Sequence, residues 1–289
     1  MTPRILVTGG GGRLAQAIRA ARPAEVCAPA RTVLDISEPN SIDLALEHFR
    51  PELVINTAAY SRVDLAEADP GAAARANEVG ARQIAIACMT RDIALIHIST
   101  DYVFGGGDAP KREEDDASPL NVYGRTKLDG EQAIAEIGGR ACIARVAWLF
   151  GHEGDFLERM LEAASKRERV SAVEDQVGSP TPLTPLASRL LRLAELMIEG
   201  VATPNILHVA GSPPASRLAW CQVAFDAARD AGADLGQLVG ARSADFATPA
   251  ERPPFSALDT SRADALLGPI DWRSAATTAG QSWARLQRR

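Results

Sequence analysis

The chain has 289 residues, of which 46% are hydrophobic and 24% charged, with a formal net charge of −6. That length supplies one large domain or two unequal ones with a sizeable core. The acidic balance gives no basic stripe for nucleic acid, and no apolar run approaches the ~18 residues that cross a bilayer.

The opening "MTPRILVTGG" lacks the apolar stretch and cleavage site of a secretory leader, so a cytoplasmic location is expected. "RILVTG" (4–9) reads as a first strand, "RLAQAIRAARP" (13–23) as a helix closed by proline, and "EVCAPA" (25–30) as a second strand. "SIDLALEHFR" (41–50) is an amphipathic helix capped by Asn40 or Ser41, followed by the strand "ELVINTAA" (52–59). One alanine-rich helix over 71–92 leads to "IALIHIST" (93–100), and a helix from Pro119 to Ile137 precedes "ACIARVAW" (141–148). Strands that are apolar throughout, alternating with helices, predict a doubly wound parallel sheet of the Rossmann-like α/β class over residues 1–150.

Residues 151–289 are expected to form mainly a smaller substrate-binding lobe. Helices are predicted at 183–200 and 218–232 and a strand at 205–211, with the stretch 183–211 returning to the main sheet. Cys27, Cys88, Cys142 and Cys221 form no paired spacing, and the four histidines are scattered, so neither disulfides nor a metal site is expected.

"VTGGGGRLA" sets Gly9, Gly12 and Ala15 at the spacing G-x-x-G-x-x-A between the first strand and the first helix. Gly9 permits the turn, Gly12 admits a pyrophosphate to the helix N-terminus, and a small residue at 15 lets helix and strand pack closely. The second strand ends in Ala30 and Arg31 rather than in the acid that binds an NAD ribose. A guanidinium there can pair with a 2′-phosphate, so NADPH is the expected coenzyme, with NADH the alternative.

"SPLNVYGRTKLDGE" begins with Ser118 as expected N-cap and Pro119 at the first helical position. Tyr123 and Lys127 then share one helical face. A neighbouring ammonium lowers the proton affinity of a phenol, whose ordinary pKa is about 10. Thr100 closes the fourth strand at the carboxyl edge of the sheet, where ligands bind in open parallel folds. Its hydroxyl is placed to share a carbonyl oxygen with Tyr123, which answers for the polar ending "STDYVFGGG".

These three features together resemble the extended short-chain dehydrogenase/reductase superfamily. "NTAAYSRVDLAE" (56–67), "STDYVF" (99–104), "PLNVYGRTKLDGE" (119–131), "DQVGSPT" (175–181) and "RPPFSALDTSR" (252–262) are similar to the dTDP-4-dehydrorhamnose reductase family. The resemblance implies reduction of the C4 ketone of a dTDP-linked 4-keto-6-deoxyhexose. Tyr123 is the implied proton donor, with Lys127 on the nicotinamide ribose, Thr100 orienting the ketone and Asp101 beside the sugar. Gly12, Arg13 and Leu14 map to the pyrophosphate, Asp35 and Ile36 to the adenine region, and Ala58, Ala59 and Tyr60 along the dinucleotide. Trp148 matches a substrate-contacting position, and the polar pair Asp175 and Gln176 before a proline-containing loop suits substrate capture. The resemblance allows a homodimer.

Three departures bear on substrate choice. Val146 and Ala147 stand where the family has two hydroxyl residues, and Asp155 where it has asparagine. A carboxylate at 155 is unfavourable near a substrate pyrophosphate unless a cation offsets it. A dehydratase of the same scaffold follows the threonine with Asp-Glu, whereas Thr100-Asp101-Tyr102 lacks the glutamate. A nucleotide-binding regulator and an epimerase remain as alternatives. The segment 111–118, "KREEDDAS", reads as a solvated loop.

Overall fold

The computed structural model describes residues 4–288. The first half runs β1 (Ile5–Thr8), α1 (Arg13–Ala21), β2 (Val26–Cys27), α2 (Pro39–Phe49) and β3 (Leu53–Asn56). The second strand is shorter than its apolar run because the chain turns away at Ala28–Pro29, where the Pro29 carbonyl accepts from Gly10 N at 3.2 Å. Helix α2 starts at Pro39, the position where a missing N–H costs nothing. Ser41 therefore lies inside the first turn and does not cap it; its Oγ accepts from Asp35 N at 2.9 Å.

The chain continues through α3 (Val63–Ala68), α4 (Pro70–Ala74), a π-helical turn (Arg75–Val79), α5 (Gly80–Met89), β4 (Ala94–Thr100), α6 (Val122–Ile137) and β5 (Ala141–Val146). What reads in sequence as one helix over 71–92 is thus interrupted. The wider π turn aims Asn77 inward, where Oδ1 accepts from Tyr60 N (2.8 Å) and Nδ2 donates to Thr126 Oγ1 (3.0 Å).

Helix α6 also begins later than its sequence suggests. Asn121, not Ser118, is the N-cap, with Oδ1 accepting from Gly124 N at 2.8 Å. Glu67 of α3 accepts from Val122 N at 2.8 Å, which satisfies a second free N–H of that end. Ser118 instead accepts from Gly105 N (3.3 Å). Helix α6 lies directly on the neighbouring main chain. A Cβ at Gly124 would come 2.1 Å from the Tyr102 carbonyl oxygen, and one at Gly130 would come 2.2 Å from that of Asn77.

Beyond β5 the elements are β6 (Leu149–Phe150), α7 (Phe156–Ser165), β7 (Arg169–Val173), β8 (Val177–Gly178), β9 (Thr181–Pro182), α8 (Leu183–Ile198) and β10 (Ile206–His208). They are followed by β11 (Ala215–Ser216), α9 (Arg217–Asp230), β12 (Gln237–Ala241), α10 (Ser261–Leu267) and α11 (Trp272–Leu286). Six parallel strands form the main sheet in the order β10-β5-β4-β3-β1-β2. Leu14, Ile18, Leu186 and Leu190 bring α1 and α8 onto one face, while Ile42, Ile84 and Ile134 bring α2, α5 and α6 onto the other. Trp220, Phe225, Trp272 and Trp283 centre a separate core among α7, α9 and α11, covered by the β7–β12 pair. Among the described residues, no helix is long and apolar enough to cross a membrane.

The acidic segment 111–118 is pinned rather than freely solvated. Glu113 is buried and accepts from His208 N at 3.1 Å, and Lys111 exchanges main-chain hydrogen bonds with Ala257 and Asp259.

Candidate active site

The carboxyl ends of β1, β3, β4 and β5 open into a continuous trench. At one end a cavity of 610 Å³ is lined by Gly9, Gly12, Arg31, Asp35, Ile36, Ala58, Ala59 and Tyr60. Gly9 adopts φ +67°, and a Cβ there would stand 3.0 Å from Ala58 Cα, so only glycine lets the two turns close on each other. Helix α1 carries no acid in its first turn and no side-chain cap, which leaves its N–H groups and partial positive charge facing the trench. This cradle fits the pyrophosphate of a dinucleotide.

Arg31 is exposed and ion-paired with Asp35, Nε to Oδ2 at 2.8 Å. Burial works against the charge of Asp35, but hydrogen bonds from Ser37 and Arg31 outweigh it and hold the carboxyl below its ordinary range. Asp35 therefore forms a turn with Ser37 and orients Arg31 at the same time.

The trench continues into a 440 Å³ cavity lined by Gly12, Arg13, Leu14, Thr100, Asp101, Tyr123, Lys127 and Trp148. Thr100 Oγ1 donates to Asp101 Oδ1 (3.0 Å) and accepts from Tyr102 N (3.2 Å). Asp101 Oδ2 accepts from Ser256 Oγ at 2.5 Å. Burial pushes the Asp101 carboxyl up to about 6 against the hydrogen bonds of Ser256 and Thr100, which favour its charged form.

The Tyr123 ring meets Tyr102 edge to face, with centroids 5.9 Å apart. Burial raises the phenol well above its ordinary value, Thr100 beside it pulls the other way, and Asp101 and Tyr102 push it further up. Lys127 is not among the groups that act on the phenol, so the lowering expected from the four-residue spacing is not found. The lysine reaches instead to strand β4, donating to the Ile98 carbonyl at 2.7 Å, with Nζ 3.0 Å from His97 Nε2. Burial lowers the Lys127 ammonium to about 8, while Glu131 favours its charge.

Asp175 and Gln176 lie outside this cavity and line a third one of 760 Å³, whose wall includes Arg217 in common with the second. Gln176 Oε1 accepts from Arg217 Nε at 3.1 Å, and Asp175 Oδ1 accepts from Ser243 N at 2.9 Å. The Arg217 guanidinium lies 4.0 Å from the centroid of the Trp148 ring. Trp148 holds this pose with an unusual left-handed φ of +39°.

Asp155 lines neither cavity. It caps α7, accepting from Glu158 N (2.9 Å) and Gly151 N (2.7 Å). Its carboxylate is spent on main-chain donors, which removes the conflict with a substrate pyrophosphate.

Two lining residues, Arg217 and His152, carry no sequence signal of their own. Arg217 is one arginine among many until α9 starts beside Trp148. His152 joins the trench through a hydrogen bond to Arg13 Nη1 at 2.9 Å. Arg252 opens the "RPP" stretch, and its guanidinium grips Asp64 of α3 at 2.6 and 2.8 Å, tying the segment after β12 to the first half of the chain.

A parallel sheet of this order, a glycine turn onto α1 and a tyrosine–lysine pair on α6 define an extended short-chain dehydrogenase/reductase. A family model described as the RmlD substrate binding domain matches residues 3–284. The chain is 38% identical over 284 residues to the dTDP-4-dehydrorhamnose reductase of Mycolicibacterium smegmatis, covering 95% of this chain and 84% of that protein. It therefore belongs to the dTDP-4-dehydrorhamnose reductase family. The crystal structure of such a reductase from Clostridium acetobutylicum superposes with a TM-score of 0.87 at 27% identity, covering 99% of each chain. That of the Bacillus anthracis reductase in complex with NADP gives 0.86 at 27% identity, covering 99% of this chain and 100% of that one.

Proposed function

We propose that this protein reduces the C4 ketone of dTDP-4-dehydro-L-rhamnose to the alcohol of dTDP-L-rhamnose, using NADPH. The observation that carries the reading is the position of Tyr123 and Thr100 between two compartments. On one side lies the glycine-lined trench, on the other the cavity walled by Arg217, Asp175 and Gln176. A ketone held at that junction has the half-buried Tyr123 phenol beside its oxygen.

When bound, the nicotinamide supplies the hydride. Tyr123 gives its proton to the ketone oxygen as negative charge develops there, and Thr100 orients that oxygen. Because burial raises the phenol, Tyr123 keeps its proton at neutral pH until the developing alkoxide draws it away. Arg217 offers a cation to the substrate's diphosphate, and the Trp148 ring beneath supports the guanidinium, its own indole N–H buried without a protein partner among the described residues. Val146 and Ala147 give the cavity an apolar floor, so sugar selection falls to Trp148, Asp101 and Arg217.

The test follows oxidation of NADPH with dTDP-4-dehydro-L-rhamnose as substrate. Turnover giving dTDP-L-rhamnose is expected. Tight coenzyme binding with no turnover of any 4-keto sugar would instead indicate a nucleotide-binding regulator. Coenzyme choice has its own test. Arg31→Ala is expected to raise the KM for NADPH about five- to tenfold, the size of one charge-assisted contact at an exposed site. The KM for NADH should hardly move, and an equal loss for both coenzymes would remove Arg31 from 2′-phosphate recognition.

A further inference from the structure

Three polar side chains lie in one row across the α6 face of the sheet. Thr8 of β1, Asn56 of β3 and His97 of β4 are in-register neighbours on adjacent parallel strands, and each is fully or almost fully buried. Apolar residues fill the preceding inward position of each strand, namely Leu6, Val54 and Leu95. The row ends at Lys127, which comes down from α6.

Buried polar groups must be paired donor to acceptor, so the row has a direction. Ala58 N donates to Thr8 Oγ1 at 3.1 Å, and Thr8 spends its only hydroxyl hydrogen on Asn56 Oδ1 at 2.5 Å. The Asn56 amide then presents its NH2 to His97 Nδ1 at 2.9 Å. A neutral imidazole that accepts at Nδ1 carries its hydrogen on Nε2, which stands 3.0 Å from Lys127 Nζ. A free amine accepts that hydrogen while donating to the Ile98 carbonyl, whereas an ammonium meets it donor to donor.

We propose that the Thr8–Asn56–His97 row is a positioning device that fixes His97 as the Nε2–H tautomer and thereby favours the uncharged amine of Lys127 over the ammonium. The proposal deepens the reading of Lys127 as part of the reacting centre. Burial, and secondarily Lys127, keeps His97 well below its ordinary value, so its ring is neutral at working pH. The other charged or titratable groups around Lys127 are Glu131 and Tyr123 on its own helix and Asp101 at the end of β4. Glu131 is itself engaged by Arg145 of β5. None of them donates a hydrogen bond to Nζ, which leaves His97 to set the direction.

The chain suits a direct test, since it contains only three lysines, Lys111, Lys127 and Lys166, and four histidines. The 15N spectrum of the coenzyme-free protein should show one neutral imidazole in the Nε2–H form, lost in His97→Phe. The Nδ1–H form at His97 overturns the proposal. In 13Cε-lysine spectra the Lys127 signal should titrate near neutrality. It should move up by about one pH unit or more in Asn56→Asp, the size of one charge-assisted hydrogen bond. That carboxylate accepts from both neighbours, which reverses the row and turns Nε2 into an acceptor for the ammonium. His97→Phe, which removes the opposing donor, should also raise it. A Lys127 titration unchanged or lowered in both variants overturns the proposal. These spectra need no sugar, so they stand or fall separately from the reductase reading. With turnover in hand, the alkaline limb of kcat should shift upward with the lysine.

Discussion

Tyr123→Phe is expected to lower kcat at least about a hundredfold, the usual scale for losing a general acid, with NADPH affinity unchanged. The substitution deletes one oxygen. It keeps the ring, which packs edge to face on Tyr102, and it leaves Gly124 against the Tyr102 carbonyl, so the helix has no reason to move. Water is a poor replacement, because Thr100 and Asp101 beside the phenol are already committed to each other and to Ser256. Steady-state kinetics with a 4-keto sugar, alongside a coenzyme titration, separate the effects. Equal kcat in the variant would take the phenol out of the mechanism. A matching loss of coenzyme affinity would show that the helix had shifted.

The largest stability effect is expected at Glu131. Its carboxylate takes three hydrogen bonds from Arg145 at 2.6 to 3.2 Å, and both side chains are 4% exposed. Arg145 also lies over the Phe104 ring and against His208. His208 offers no countercharge, since burial first and Arg145 second lower it to about 4. Removing the acid strands a guanidinium between α6 and β5 with no carboxylate to pair it, and breaking a buried pair this way costs about 3–5 kcal/mol. Glu131→Leu should therefore unfold at markedly lower urea concentration, with an unchanged m-value if the loss is native-state stability alone. A midpoint within error of the parent would mean that water reaches Arg145 and that the pair is less enclosed than its geometry indicates.

The alternation of apolar runs with amphipathic segments is enough to read the parallel sheet, because β1, β3, β4 and β5 are buried on both faces and each begins with an apolar run. Local chemistry was harder to read. Ser118 and Pro119 look like a helix start, but Asn121 and Glu67 supply the cap, and Glu67 arrives from an element 55 residues away. The π turn at Arg75–Val79 is invisible to a 3.6-residue pattern, since its reason is the Asn77 contact with Tyr60 and Thr126. At the site, Tyr123, Lys127 and Thr100 stood out because spacing on one helix and the end of a strand are properties of the chain itself. Arg217 joins them only through tertiary folding, and Arg252 and Ser256 lie in the 252–262 stretch but reach Asp64 and Asp101 only in the folded chain. Asp155 shows the converse. Its composition warned of a charge conflict, and the backbone N–H groups of Gly151 and Glu158 dissolve it.

Because α6 meets its neighbours through the main chain at Gly124 and Gly130, the Tyr123 hydroxyl, the proposed proton donor, is referenced to carbonyl groups rather than to exchangeable side chains. Mutational drift in the surrounding wall can then reshape which sugars are accepted while the reactive atom keeps its coordinates. A scaffold held in register this way separates evolvability of substrate range from preservation of the chemistry.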